Sequence, residues 1–212
     1  MTMSGKALKL IQKSFGDLRL CKGMLVVPPT EHIIRCFMFE RTPYKGLFYF
    51  WRVVLPLYTQ MPFITLNYSK RLAEGGYVDL SASALEQSIQ NLVRIISQGE
   101  LAGLRAVHWP QEFLDRFGGA SINAGYTPMI SPFDAALTYY LVGNIPFCID
   151  ILDDFASEDL QPGRVDIHLS ARELAREMRI DPSAAERKIQ ASERSTIEQF
   201  GLGPTMSGHE MS

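Results

Sequence analysis

Residues His32 to Arg71 read HIIRCFMFERTPYKGLFYFWRVVLPLYTQMPFITLNYSKR. Three runs rich in β-branched and aromatic residues are separated by Pro- and Gly-bearing connections of turn length, the pattern of an antiparallel β-meander. In the first run Arg35 shares a face with Ile33, Phe37 and Phe39, while Ile34, Cys36 and Met38 point the other way, because side chains alternate along a strand. In the second, Leu47, Tyr49, Trp51, Val53 and Leu55 oppose Phe48, Phe50, Arg52 and Val54. Strands that are apolar on both faces are central and covered twice. Thr42 to Gly46 fits a five-residue hairpin loop, and Pro56 and Pro62 end the second strand and begin the third. There Ile64, Leu66 and Tyr68 alternate with Thr65, Asn67 and Ser69, so one face is wetter, and Gly75-Gly76 closes the region.

On the N-terminal side, residues 3 to 15 place Ala7, Leu8, Leu10, Ile11 and Phe15 opposite Lys6, Lys9 and Lys13, an amphipathic helix ending near Gly16. A short strand from Gly23 to Val27 is stopped by Pro28-Pro29. On the C-terminal side the period becomes helical. Ser81 or Ser83, with Glu86, predicts a capped helix ending at Gly99, and Pro110 opens a second, stopped by Gly118-Gly119. A loop follows to Pro128. Ser131-Pro132-Phe133-Asp134 is a helix start with a Ser cap and a carboxylate near the positive end of the dipole. A further helix from Phe147 to Phe155 completes an α-hairpin with it. Ser170-Ala-Arg-Glu173 reads as a capping box, and Asp181-Pro182 caps a last long helix to Phe200.

These elements predict an α+β protein, an antiparallel β-meander of three to four strands covered by an N-terminal helix and several C-terminal helices. Residues 1–160 form the core domain, 161–201 a C-terminal helical pair packed on it, and 202–212 a disordered tail. At 212 residues, 46% hydrophobic and 21% charged, the composition is that of an ordinary globular protein. No run approaches the roughly 20 apolar residues that span a bilayer, and no secretion signal is visible, so a cytoplasmic location without membrane contact is expected. Cys21, Cys36 and Cys148 form no ligand or disulfide pattern. The net charge of −2 divides sharply: residues 1 to 76 hold eleven Lys/Arg against four Asp/Glu, and the remainder ten against nineteen. Such a division either solvates and packs internally or turns the basic half toward an acidic partner.

Three stretches carry candidate chemistry. Leu169 to Ile189 resembles the bacterial helix-turn-helix pattern, with Leu174, Ala175, Met178 and Ile180 inward and Ser183, Ala184, Arg187 and Lys188 toward a DNA groove. It departs from that pattern at Arg179, where a Gly is usual, and Glu186, Glu193 and Glu198 share the second helix; a helix pair closing over the core is the preferred reading of this stretch. Asp150, Asp153 and Asp154, with Glu158, Asp159 and His168 near in sequence, have the spacing of a hard-cation site, or of a solvated helix face. Phe37, Phe39, Tyr49 and Trp51 with Arg35, Arg41 and Arg52 could stack bases on an open sheet, or form core. No nucleophile elbow, phosphate loop or dinucleotide fingerprint occurs. The preferred expectation is a non-catalytic interaction module that binds another protein and needs no cofactor. The first alternative is a DNA-binding regulator using 170–189 through Ser183, Arg187 and Lys188. The second is a metal-dependent enzyme built on the acidic helix.

Overall fold

The computed structural model describes residues 2–59, 64–73, 75–118, 130–157 and 165–203, and its architecture is the expected α+β one. Helix α1 (Met3–Gln12) begins where Thr2 Oγ1 accepts the Gly5 amide, and it buries Ala7, Leu8 and Ile11 while its lysines stay exposed. Among the described residues the sheet has six strands, β1 (Arg19–Cys21), β2 (Met24–Val26), β3 (Ile33–Arg41), β4 (Leu47–Pro56), β5 (Ser69–Arg71) and β6 (Val78–Asp79). All neighbours are antiparallel, β1 to β4 in sequence order, and β5 and β6 pair successive parts of the far edge of β4. The central hairpin runs in unbroken register from Ile33 opposite Pro56 to Arg41 opposite Phe48. Strands β1 and β6 raise the number above three or four; at two or three residues they are too short for alternation to reveal.

The third predicted strand is displaced. Regular pairing is confined to Ser69–Arg71, and the Ser69 amide closes a turn on the Leu66 carbonyl at 3.2 Å. The Tyr68 ring packs on Phe113 and Phe117, with centroids 5.0 and 5.3 Å away, while its carbonyl still accepts the Val54 amide of β4 at 3.3 Å. Pro62, the expected strand start, lies outside the described residues, as does most of the loop expected between Gly118 and Pro128.

On the inner face Phe37 stacks on Phe50 with centroids 5.8 Å apart, and Phe39 fills the angle beside it at 4.7 Å. Helices α1, α2 (Leu85–Ile95), α3 (Leu101–Arg105) and α4 (Pro110–Phe117) share one hydrophobic cluster with this face. One local expectation is corrected here. Ser83 does not cap α2; Asp79 Oδ1 holds the Ser81 amide at 2.8 Å, and the Ser81 carbonyl accepts the Leu85 amide at 2.9 Å. Gly99 breaks the helix as expected: its φ of +131° is non-helical, and the chain kinks there before continuing into α3.

Helices α5 (Pro132–Leu141), α6 (Ile145–Ser157), α7 (Val165–Ile180) and α8 (Pro182–Phe200) form a second cluster around Leu137, Leu152, Phe155, Leu174, Met178 and Ile189. Ala171, Ala175 and Ala185 are fully buried in it, small residues that allow close helix approach. Helix α7 starts five residues before the predicted capping box, so Ser170 is interior, and its hydroxyl donates to the Asp166 carbonyl at 2.8 Å. Asp181 caps α8 as expected, through the Ala184 amide at 3.0 Å.

The clusters meet at a buried polar knot. Asp134, in the first turn of α5, accepts from Thr59 Oγ1 at 2.7 Å, the Tyr68 hydroxyl at 2.6 Å and Ser131 Oγ at 2.7 Å. Tyr58, whose phenol burial pushes well above its ordinary pKa, bonds Thr138 Oγ1 at 2.5 Å, and Thr138 donates to the Asp134 carbonyl. Hydroxyls that close on one carboxylate make its burial tolerable.

Candidate interaction surface

The outer face of the sheet carries Ile34, Cys36, Met38 and Glu40 from β3 beside Leu55, Val53, Trp51 and Tyr49 from β4. Helix α8 closes one end of it. His32, held at a φ of +36°, donates from its backbone amide and from Nδ1 to the two Glu193 oxygens at 2.9 and 3.1 Å. That hydrogen bond raises the His32 pKa, against the opposing effect of burial. Further along, Thr196 Oγ1 reaches the Thr59 carbonyl at 3.4 Å, Lys22 Nζ the Gln199 carbonyl at 2.7 Å and Cys21 Sγ the Gly201 carbonyl at 2.9 Å. At this end Ile34, Cys36, Val53 and Leu55 are fully buried.

The other end is open. Its strands bring together Tyr49 and Trp51 from β4, Glu40 from β3 and Arg71 from β5, with Tyr44 from the hairpin loop and Tyr77 just before β6. The Arg71 guanidinium lies 3.9 Å from the Tyr49 ring centroid and 4.8 Å from that of Trp51. Tyr77 stacks on Tyr49 at 5.2 Å, and Tyr44 meets Tyr77 edge-on at 6.4 Å. Trp51 Nε1 donates to Glu40 Oε2 at 2.8 Å, which fixes the indole. A hydrogen-bonding interaction with the Tyr49 phenol raises the Tyr77 pKa, and the Arg71 charge pulls it back. Tyr44 and Tyr77 are 63% and 43% exposed, and Arg71 is exposed without an anionic partner among the described residues. By contrast Lys70 and Arg52, on the opposite face, share Glu100 at 2.5 and 2.7 Å.

The residues predicted from sequence to stack bases therefore separate. Phe37 and Phe39 belong to the core side, and Arg35 is buried between the Val27 and Pro29 carbonyls. Tyr49 and Trp51 reach solvent in the company of Arg71, Tyr44 and Tyr77, which alternation within single strands could not reveal. The strand register, which places Arg71 opposite Trp51, is the missing signal.

On the C-terminal pair, Ser183, Arg187 and Lys188 are all exposed. Arg187 faces Asp181 at 3.7 Å, and Lys188 bridges Glu173 and Glu177 on α7 at 3.2 and 2.5 Å. On the acidic helix Asp153 is paired with Arg179, while Asp150 and Asp154 are exposed; Glu158 and Asp159 lie outside the described residues. His168 is turned inward, stacked on Phe155 with Nδ1 donating to the Phe155 carbonyl at 2.7 Å. Among the described residues no group of three or more acidic, Cys or His side chains is placed to hold a metal ion, and no helix is long and apolar enough to cross a membrane.

Two clefts flank α8. One of about 870 Å³ lies between α5, α7 and α8 over Phe133, Leu137, Leu174 and Ile189, and the other, about 790 Å³, runs along His32 and Glu193. Each lining includes an internal ion pair, Lys188 with Glu173 in the first and His32 with Glu193 in the second. Comparison with known protein families, curated proteins and solved structures gives no match.

Proposed function

We propose that this protein is a non-catalytic interaction module that binds another protein through the open corner of its sheet. The observation that carries this reading is the mutually braced group in which exposed Tyr44, Tyr77 and Arg71 pack on half-buried Tyr49 and Trp51. Tyr, Trp and Arg dominate the residues whose truncation costs most at protein interfaces. Aromatic side chains with two rotatable bonds lose little entropy on docking, and stacking restrains them further. The basic balance of residues 1 to 76, which hold Arg41, Lys45 and Arg71, matches the sign of an acidic partner.

The test uses the tagged full chain against lysate of its source organism, alongside a Tyr44→Ala/Tyr77→Ala variant and an Arg187→Gln/Lys188→Gln variant. The proposal expects a retained protein that the tyrosine variant loses and the α8 variant keeps. Retention indifferent to the tyrosines overturns it. So does salt-sensitive duplex DNA binding that disappears with Arg187 and Lys188, which would move the function to α8.

A further inference from the structure

Resting on that reading, we infer that the partner presents an extended acidic segment, one carboxylate of which docks on Arg71. A guanidinium is a planar fork of five donors that matches a carboxylate in a bidentate manner. Here the fork is laid against Tyr49 and Trp51, so its orientation is restricted before any ligand arrives. Several cations elsewhere on the fold find anions: Arg52 and Lys70 take Glu100, Arg105 takes Asp17, Arg179 takes Asp153 and Lys188 takes Glu173 and Glu177. Arg71 has none among the described residues, although it is the cation held most firmly by aromatic faces.

The surrounding charge has the right sign. Lys45, beside Tyr44 in the hairpin loop, is exposed, whereas two nearby carboxylates among the described residues are engaged, Glu40 by the Trp51 indole and Asp79 by the Ser81 amide. The backbone adds direction. The Val54 amide donates to the Tyr68 carbonyl and the Leu72 amide to the Phe50 carbonyl, at 3.3 and 2.8 Å, so residues 68 and 72 face β4. By alternation the Arg71 amide and carbonyl face away from it, at the terminal strand of the sheet. An extended chain laid along that edge meets backbone groups and the guanidinium together. A nucleic acid fits less well, because the rings of Tyr49 and Trp51 that would stack a base are already contacted by Arg71 and Tyr77.

The experiment pans a phage library of random dodecapeptides against the full chain and measures the recovered peptides, fluorescently labelled, by anisotropy. The proteins compared are wild type, Arg71→Gln, Arg71→Lys, Tyr44→Ala/Tyr77→Ala and a Lys13→Gln control, each first checked for an unchanged melting temperature. Asp- and Glu-rich peptides are expected, bound about tenfold or more weakly by Arg71→Gln and at an intermediate level by Arg71→Lys, which keeps the charge without the fork. Peptides lost with the tyrosines but indifferent to Arg71→Gln would overturn the carboxylate anchor and leave the interaction surface standing. Peptides indifferent to both variants, or none recovered, would sink the surface as well. An oligothymidylate probe bound more tightly than any peptide, in an Arg71-dependent way, would overturn the inference in favour of single-stranded nucleic acid.

Discussion

Replacing Asp134 by Asn is expected to lower stability by about 3 kcal/mol, because hydrogen bonds to a charged group are each worth about 1.5–3 kcal/mol and are not additive. The carboxylate accepts three hydroxyls, from Thr59, Tyr68 and Ser131. An amide keeps one acceptor for Thr59 and turns an N–H donor toward the other two. Rotation recovers part of the loss: the Tyr68 oxygen still accepts the Ser131 amide at 2.9 Å, and Ser131 Oγ still accepts the residue-134 amide at 3.1 Å. Removing a buried charge acts in the opposite sense and can stabilise a protein outright. Here the donors and the start of α5 already compensate the charge, so the loss of bonds wins. For a chain of this length, about 3 kcal/mol corresponds to a fall in Tm of about 6–12 °C. Urea unfolding followed by tryptophan fluorescence and by far-ultraviolet circular dichroism measures the change. Trp51 lies in the sheet and Trp109 at the start of α4, which packs on the sheet cluster, whereas much of the helical signal comes from α5 to α8. In Asp134→Ala, where the knot is gone, the two transitions should separate. A midpoint that rises in Asp134→Asn, or falls by less than about 0.5 kcal/mol, would refute the balance drawn between bonding and burial.

Other outcomes follow from single contacts. The His32 pKa is raised in the folded state, so its pair with Glu193, which also feels Glu31, contributes fully below the ordinary value of about 6.5 and is lost as pH rises through the folded pKa. Stability of wild type should therefore decline relative to Glu193→Gln on going from pH 6 to pH 8, and a parallel pH profile for the two proteins would contradict this. Gly201→Ala should cost about 1–2 kcal/mol in chemical denaturation, because φ is +66° and the new methyl would meet Lys22 Cε at 2.7 Å; Lys22→Ala should recover part of it. Burial pushes the Cys36 and Cys148 thiols up to about 12 and raises Cys21, so Ellman's reagent at pH 8 should label them only at the rate of unfolding.

What was legible in the sequence was what depends on neighbours along the chain. Alternation in 32–41 and 47–55 identified two central strands, and the caps at Ser131 and Asp181 fell where predicted, since each bonds within three residues. Ser170 and Ser83 failed for the same reason turned round: a matching tetrapeptide cannot tell whether the preceding residues are already helical or already turned by Asp79. The interaction surface needed information between strands. Tyr49 and Trp51 could be put on one face, but their partner Arg71 follows from a register fixed by the β4–β5 pairing, in a strand of only three residues. The sequence around Asp134 shows a dipole partner, which it is, yet Thr59 and Tyr68 lie more than 60 residues before it.

The position of α8 sets a timetable for biosynthesis. The outer apolar strip of Ile34, Cys36, Val53 and Leu55 is translated early, while the helix end that shelters it, tied to Cys21 and Lys22 through residues 199–201, is translated late. At ordinary elongation rates about 7–30 seconds separate the two. During that interval a nascent sheet carries an unsheltered greasy face on a polysome crowded with identical chains, so the yield of native protein should depend on elongation speed and on trigger-type chaperones more than its final stability would suggest.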